Sequence, residues 1–424
     1  MAIRKLYGIL ADSPEEAEAG EPRRFMRHLA SLSATKLADG LIDPKLVLAW
    51  LMSALGAPAY LIGALVPVRE SGALLPQILL AREIQKSRVR KWFWAAGSFI
   101  QGIAALGIGA SALLLDGAAA GWAILGCLAV LALARAACSA SYKDIAARTL
   151  RKGSRGTVSG AAGTAAAVLV LAFAVALALG AIPREPGAIG TVVLIAGGLW
   201  IAAALVFAGL DEPAGNGDGA AMDSAAALLR PLREDDEFRR YVAVRALLIP
   251  TALAPPFIVM LSNQGQGESL GNLGSLMIAS SLATILSSYV WGRLSDHSSR
   301  LTLALSAGAA AVALAVAAGF GVATGGTGGP VLAGLFVFVA QIAYEGVRAG
   351  RKIHLTDMDT NGAKPVYTAL SNTLIGVLLF LGGGFGLLAD AAGPAVVLAV
   401  FAGFCAVAAA LALGLSEVQQ ESGA

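Results

Sequence analysis

Apolar runs of twenty residues and more follow one another along most of the chain, separated by short polar stretches. Half-buried strands would alternate every second residue and barrel strands would be about ten residues long; these runs do neither, so they predict long helices. A helix needs about twenty apolar residues to cross ~30 Å of hydrocarbon. On that basis twelve spans are expected, near 46–66, 68–85, 92–115, 120–142, 157–181, 188–209, 241–262, 272–292, 301–322, 330–349, 366–389 and 394–415. Ahead of them, Phe25, Met26, Leu29, Leu32 and Leu37 recur among Arg23, Arg24, Arg27 and Lys36. That spacing predicts either an amphipathic helix on the inner leaflet or a cytosolic arm.

Composition sharpens the class. Hydrophobic residues make up 57% and charged residues 14% of the 424, and the mean hydropathy is +0.73, whereas a soluble domain is about half apolar and a quarter charged. The chain is therefore read as an all-α integral membrane protein, its 51 glycines suited to close helix packing in lipid. Cys127, Cys138 and Cys405 all fall inside apolar runs and read as small buried hydrophobes, neither a disulfide set nor a metal cluster. The apolar patch at the start is too short for a cleaved signal peptide.

Basic residues cluster on alternate loops. Arg82, Lys86, Arg88, Arg90 and Lys91 share one loop, Lys143, Arg148, Arg151, Lys152 and Arg155 another, while Arg293, Arg300, Arg348, Arg351, Lys352 and Lys364 occupy the corresponding later ones. The opposite loops hold only Arg69 and Arg184. By the positive-inside rule both termini are cytoplasmic, and the expected location is a bacterial inner membrane. A Gly/Asp/Ala-rich stretch ending in mixed charge reads as a linker. The expected organisation is an arm at 1–44, a six-helix bundle at 45–210, a cytoplasmic linker at 211–240, a second bundle at 241–415 and a tail at 416–424.

The two bundles look duplicated. One shift of 209 carries Arg82–Trp92 onto Trp291–Leu301 and Ser141–Thr164 onto Gly350–Thr373, matching Lys143 with Lys352, Gly153 with Gly362 and Thr164 with Thr373. In "WGRLSDHSSR", residues 291–300, Gly292, Leu294, Asp296 and Arg300 stand at the spacing of a Gly-x-Leu-x-Asp loop signature. With two six-helix halves and short basic loops after spans two and eight, the chain resembles the major facilitator superfamily of secondary transporters. The resemblance covers about 370 residues. Ser299 and Leu301 depart from that signature, and the first-half loop has Glu83 and Ser87 where its Gly and Asp would stand, so a latch there would be weaker or built differently. In span four, Leu131 and Arg135 resemble the Leu-x-x-x-Arg signature of proton-coupled exporters, with Cys138 and Ser139 departing from what usually follows.

The resemblance implies alternating access around a central cavity lined by spans one, four, seven and ten, with Arg135 and Glu345 on facing halves. An ionisable residue inside the bilayer costs ~2.5–3.5 kcal/mol and is a functional candidate by default. Arg135, Glu345, Tyr344, Gln341, Gln101, Asn372, Arg69 and Glu70 are the substrate or proton candidates, with Ser371 and Thr373 as further polar groups. Structural readings stand beside them: Arg135 as a buried structural cation, Glu345 paired to Arg348 three residues on, and Arg69 and Glu70 anchored at the outer end of span two. Gly292, Asp296, Arg300, Lys143, Asp144 and Arg348 are the gating candidates, the loop pair Lys143 and Asp144 reading equally as a solvated salt bridge. Ser295 and Asp296 are placed to cap the helix beginning near Arg300. Arg245 reads as a snorkelling structural residue.

Pro58, Pro255–Pro256 and Gly382–Gly384 mark expected kinks. His28, His297 and His354 have no metal-ligand spacing and read as surface or loop residues, and no phosphate loop occurs. The expected function is a secondary transporter of a small organic solute, proton-coupled and exporting, working as a monomer in the lipid bilayer without cofactor, metal or nucleic-acid partner. A uniporter or importer of the same fold, or a non-transporting sensor or scaffold, is the alternative; an enzyme is disfavoured.

Overall fold

The structure, a computed structural model, describes residues 7, 20–76, 80, 83–84, 86–183, 185–214, 225–264, 270–358 and 364–418. All regular secondary structure among them is helical. In chain order the helices are α1 (Glu21–Ile42), α2 (Val47–Ala54), α3 (Ala59–Leu74), α4 (Lys91–Leu114), α5 (Gly117–Thr149), α6 (Lys152–Ala178) and α7 (Pro186–Ala208). They continue with α8 (Ala225–Glu234), α9 (Asp236–Leu247), α10 (Pro250–Gln264), α11 (Leu270–His297), α12 (Ser299–Thr324), α13 (Pro330–Asp357), α14 (Lys364–Leu381), α15 (Phe385–Ala392) and α16 (Pro394–Ala412). Nine helices among the described residues are long and apolar enough to cross a membrane.

The helices gather into two compact units whose limits differ from the expected bundles. Unit 1 comprises Met1–Asp43, Gly72–Phe173 and Pro186–Ala221; unit 2 comprises Pro44–Ser71, Ala174–Glu185 and Met222–Ala424. Residues 44–71, expected with the first bundle, thus pack within unit 2.

In unit 1, α4 packs against α5 and α7, and α1 lies along α7. The expectation of a surface arm at 1–44 is corrected here. Phe25, His28, Ser31, Thr35, Ala38 and Leu41 recur every three or four residues and form a stripe buried in protein. Its polar members find partners: His28 Nε2 bonds Thr149 Oγ1 at 2.8 Å, Ser31 Oγ donates to the Ala203 carbonyl, and Lys36 Nζ donates to that of Ser159. Across α4 and α7, a Cβ on Gly102 would lie 2.8 Å from the Gly197 carbonyl oxygen, and one on Gly197 would lie 2.9 Å from that of Gly102. Mutual glycines bring these two backbones together.

In unit 2, α12 packs on α13 and α16, α11 on α13, and α10 on α2, α13 and α16. Phe238, Tyr241, Leu303, Val347, Leu370 and Leu415 belong to one buried core. Two contacts are closer than most. A Cβ on Gly386 would stand 2.7 Å from the Tyr60 Cα, and one on Gly274 would stand 2.5 Å from the Ala178 backbone nitrogen. Gly63 faces Gly386 in the first of these contacts, at 2.7 Å from an added Cβ to the Gly386 Cα. Gly63 and Gly274 are 211 positions apart, and Ala178 and Gly386 are 208, so both contacts follow the internal repeat to within a residue or two. Asp390 seals the first by accepting the backbone N–H groups of Ala59 (2.9 Å) and Tyr60 (3.1 Å), which open α3.

The early helix boundaries also need correction. A break was expected between 66 and 68, yet α3 runs straight through Pro67; the break falls at 55–58, where Gly56 has φ +74°. The lost hydrogen bond at Pro67 is outweighed by the burial of Leu61, Ile62, Leu65 and Val66 around it. Pro58 lies in the break, outside the helices, while Pro255 and Pro256 sit inside α10. Pro44 lies between α1 and α2, and Pro250 is the first residue of α10. Gly382–Gly384 form a 3-10 turn between α14 and α15, at the expected bend.

Gly386→Ala places a methyl group against backbone, so a destabilisation of about 1–3 kcal/mol is expected. Gly384, around which an added Cβ meets nothing within 4 Å, provides the control. Thermal unfolding of the two purified variants checks the contrast; equal melting temperatures would contradict the close approach.

Candidate functional site

Several polar side chains inside the helices meet a partner from a different helix of their own unit. In unit 1 Arg135, on α5, forms an ion pair with Asp39 of α1. Both are partly buried, and Asp39 sits three residues before the end of α1. The carboxylate of Glu345 accepts from Gln341 Nε2 (3.0 Å) and lies 3.7 Å from Arg348, the pair expected three residues on. Asp39 escaped the sequence reading because the four basic residues of 21–42 made that stretch look extramembrane. The signal that would have found it is the three-four spacing of Phe25, His28, Ser31, Thr35 and Ala38.

In unit 2 a polar group surrounds the start of α2 and the middle of α13. Lys45 Nζ stands 3.4 Å above the Tyr344 ring, a cation–π contact. Gln341 Nε2 also reaches Thr284 Oγ1 of α11 at 3.3 Å. Gln341, Tyr344 and Glu345 are all half-buried. Nearer the end of α10, Asn263 Nδ2 donates to Ser53 Oγ at 3.0 Å. Lys45 had been passed over as a residue at the foot of an apolar run.

A third cluster contradicts the snorkelling assignment of Arg245. This residue is buried at 9% exposure, its Nη1 donating to Ser371 Oγ (2.6 Å) and its Nη2 to Asn372 Oδ1 (3.0 Å). Its neighbours in α14 hold the guanidinium inside. Gln101 is corrected in the other direction: its amide donates to the Gly97 carbonyl and to Cys138 Sγ, both within the α4–α5 packing. Arg69 and Glu70 lie ten and eleven residues into α3, about 15 Å from its first residue at 1.5 Å per residue. They are therefore well within the helix and half-buried, not at its outer end.

The loop ends carry a second kind of organisation. Helix α11 continues to His297, so the cap of α12 is Ser298, whose Oγ accepts from Leu301 N; Ser295 instead donates back to the Gly292 carbonyl within α11. Of Asp296 only the helical backbone is described. Ser298 Oγ donates to Glu417 Oε2 (2.7 Å), and Arg300 pairs with the same carboxylate at 3.3 Å. In unit 1 the matching place belongs to Glu212, which accepts the backbone N–H groups of Arg90 (2.9 Å) and Lys91 (2.7 Å) at the start of α4. Each unit thus has a glutamate, just beyond its last long helix, folded back on the start of an earlier one. A carboxylate is favoured at a helix N-terminus by the aligned N–H dipoles.

Arg90 also pairs with Asp144, while Lys143 is exposed. Burial and the neighbouring Arg148 push the Arg90 guanidinium below its ordinary range, with Glu212 opposing them. The altered first-half loop is therefore tied by Arg90, Asp144 and Glu212 in place of the signature residues. His28 and His354 are fully buried, not surface residues: His354 Nδ1 bonds Ser299 Oγ at 3.0 Å, and its ring stacks on Tyr241. His297 is exposed. Cys127, Cys138 and Cys405 are free thiols, and among the described residues no cluster of His, Cys, Asp or Glu has the form of a metal site.

No protein-family model and no curated protein sequence matches this chain. Solved structures do. A variant of the nucleoside transporter NupG is similar over 92% of this chain and 99% of its own, with a TM-score of 0.72 at 15% identity. A POT family transporter in complex with a thioalcohol-conjugated peptide covers 92% of this chain and 96% of its own, at TM-score 0.69 and 9% identity. A D-xylose–proton symporter covers 93% and 98%, at 0.66 and 10%. The chain shares its fold with these transporters. At such identities the likeness is one of fold.

Removing one member of the Arg135–Asp39 pair leaves the other partly buried charge without this counter-charge, whereas removing both does not. The destabilisations of Asp39→Asn and Arg135→Gln should therefore sum to more than that of the double variant. The coupling should be about 0.5–3 kcal/mol, read from a double-mutant cycle; strict additivity would contradict the pairing.

Proposed function

We propose that this protein is a secondary transporter that moves a small organic solute across a membrane by alternating access. The observation that carries the reading is the combination of a transporter fold with ion pairs built inside apolar helices, where charges are costly unless they serve a purpose. Nine of the described helices are long and apolar enough to cross a membrane, and the apolar runs of the whole sequence support twelve crossings. The twelve divide into two six-helix halves with both termini cytoplasmic, in keeping with the basic loops.

Proton coupling is assigned to the Asp39–Arg135 pair. Parting of the pair during alternation would deprive the carboxylate of this counter-charge, the change that a coupling ion would answer. Glu345, held by Gln341 and Arg348, is the second carboxylate placed for such an exchange. The Glu212 and Glu417 folds, with Arg90–Asp144 and Arg300, serve as latches that hold one conformation. Export is the direction favoured by the Leu131–Arg135 spacing.

Purified protein in proteoliposomes, loaded with mixed small solutes under an imposed pH gradient, tests this. Gradient-driven flux should appear and should be lost in Asp39→Asn, while exchange without a gradient persists. Flux indifferent to the gradient would remove proton coupling and leave a uniporter; no flux of any solute, with unaltered behaviour in Asp39→Asn, would leave a sensor or scaffold.

A further inference from the structure

Arg245 has a coordination that packing does not explain. Its side chain is buried, and among the described residues no carboxylate lies within ion-pairing distance of it. Two of its nitrogens bond neutral oxygens, Ser371 Oγ and Asn372 Oδ1, and its Nε is buried without a hydrogen-bond partner. Among the groups that act on it electrostatically, Arg351 is a second cation and Tyr241 a phenol whose OH is donated to the Arg351 carbonyl. The cluster is thus net positive. A buried cation that keeps only neutral partners is expensive unless a counter-charge visits it.

The neighbouring backbone fits the same conclusion. Arg245 is three residues before the break at Leu248–Ile249, where α9 ends and α10 begins at Pro250. Under the shift of 209 the Arg245 position is held in the first half by Lys36, which binds the Ser159 carbonyl. The first-half ion pair of Asp39 and Arg135 falls on Leu248 and Tyr344, so the second half keeps a cation at the Lys36 position and has neither member of that pair.

We infer that Arg245, Ser371 and Asn372 form the recognition site for a carboxylate-bearing monoanion, the cargo of this transporter. A planar guanidinium fork matches a carboxylate through two parallel hydrogen bonds, and the hydroxyl and amide complete the set when they turn from the guanidinium to the ligand. Asn372 is half-buried, as is the adjacent Thr373. The inference rests on the transporter reading only in calling the anion cargo; binding itself needs no flux.

The test is equilibrium binding to the full chain in detergent, at constant ionic strength and pH, with sodium benzoate, benzamide, benzylammonium and inorganic phosphate as probes. Benzoate should raise the melting temperature in a saturable way, and benzamide and benzylammonium should not. Arg245→Gln should weaken benzoate by at least about thirtyfold, with Arg245→Lys in between. Should Arg245→Gln fail to fold, Asn372→Leu keeps the cation, should fold, and should weaken benzoate alone. No benzoate effect on the wild type, an effect equal for benzamide, an undiminished effect in these variants, or stabilisation by phosphate in place of benzoate each overturns the inference. Solute flux measured on the same preparation separates the two readings: a protein that transports neutral solutes but ignores benzoate retains its proposed function and loses this site.

Discussion

Hydrocarbon offers no partner to a polar group, and that constraint governs this molecule from its first helix onward. Helix α1 carries histidine, serine, threonine, lysine and aspartate on one face, and none of these tolerates lipid. Docked on α7 and its neighbours, His28 reaches Thr149, Ser31 the Ala203 carbonyl, Lys36 the Ser159 carbonyl and Asp39 the Arg135 guanidinium. Burying such a helix demands that unit 1 supply an acceptor at every turn. The rest of the unit is arranged to do so, with small residues letting α4 and α7 approach until their glycines touch.

Unit 2 solves the same problem with different chemistry. Its charged groups are bonded in chains: Glu345 with Gln341, Arg348 and, through Gln341, Thr284; Glu417 with Ser298 and Arg300; Arg245 with Ser371 and Asn372. The repeat is therefore preserved in backbone geometry more than in side chains. The glycine contacts of Gly63 and Gly274 keep their spacing, while the residue at the Asp39 position has become Leu248.

The loops teach a related lesson. A signature read from sequence drew attention to Gly292 and Asp296, yet the bonds that close that loop come from Ser298, Arg300 and a glutamate beyond the final helix. The first-half loop lacks the signature residues and is closed in the same manner by Glu212. What matters physically is a carboxylate at a helix N-terminus; which segment supplies it is a matter of tertiary arrangement. Local motif spacing could not disclose this, because Glu212 is 122 residues from Arg90 and Glu417 is 119 from Ser298.

Apolar run length and glycine content were enough to determine the helical membrane class and most of the long helices, since each depends on transfer free energy summed over a contiguous segment. Arg135 and Glu345 were visible as ionisable residues in apolar surroundings for the same reason. Their partners were not. Asp39 was hidden in a helix whose mean polarity conceals one buried face, Lys45 and Arg245 looked like residues at helix ends, and Pro67 looked like a boundary it does not make. Whether a polar side chain is satisfied by lipid headgroup, by water or by another helix is decided by what lies across from it, and only the packed tertiary structure says what that is.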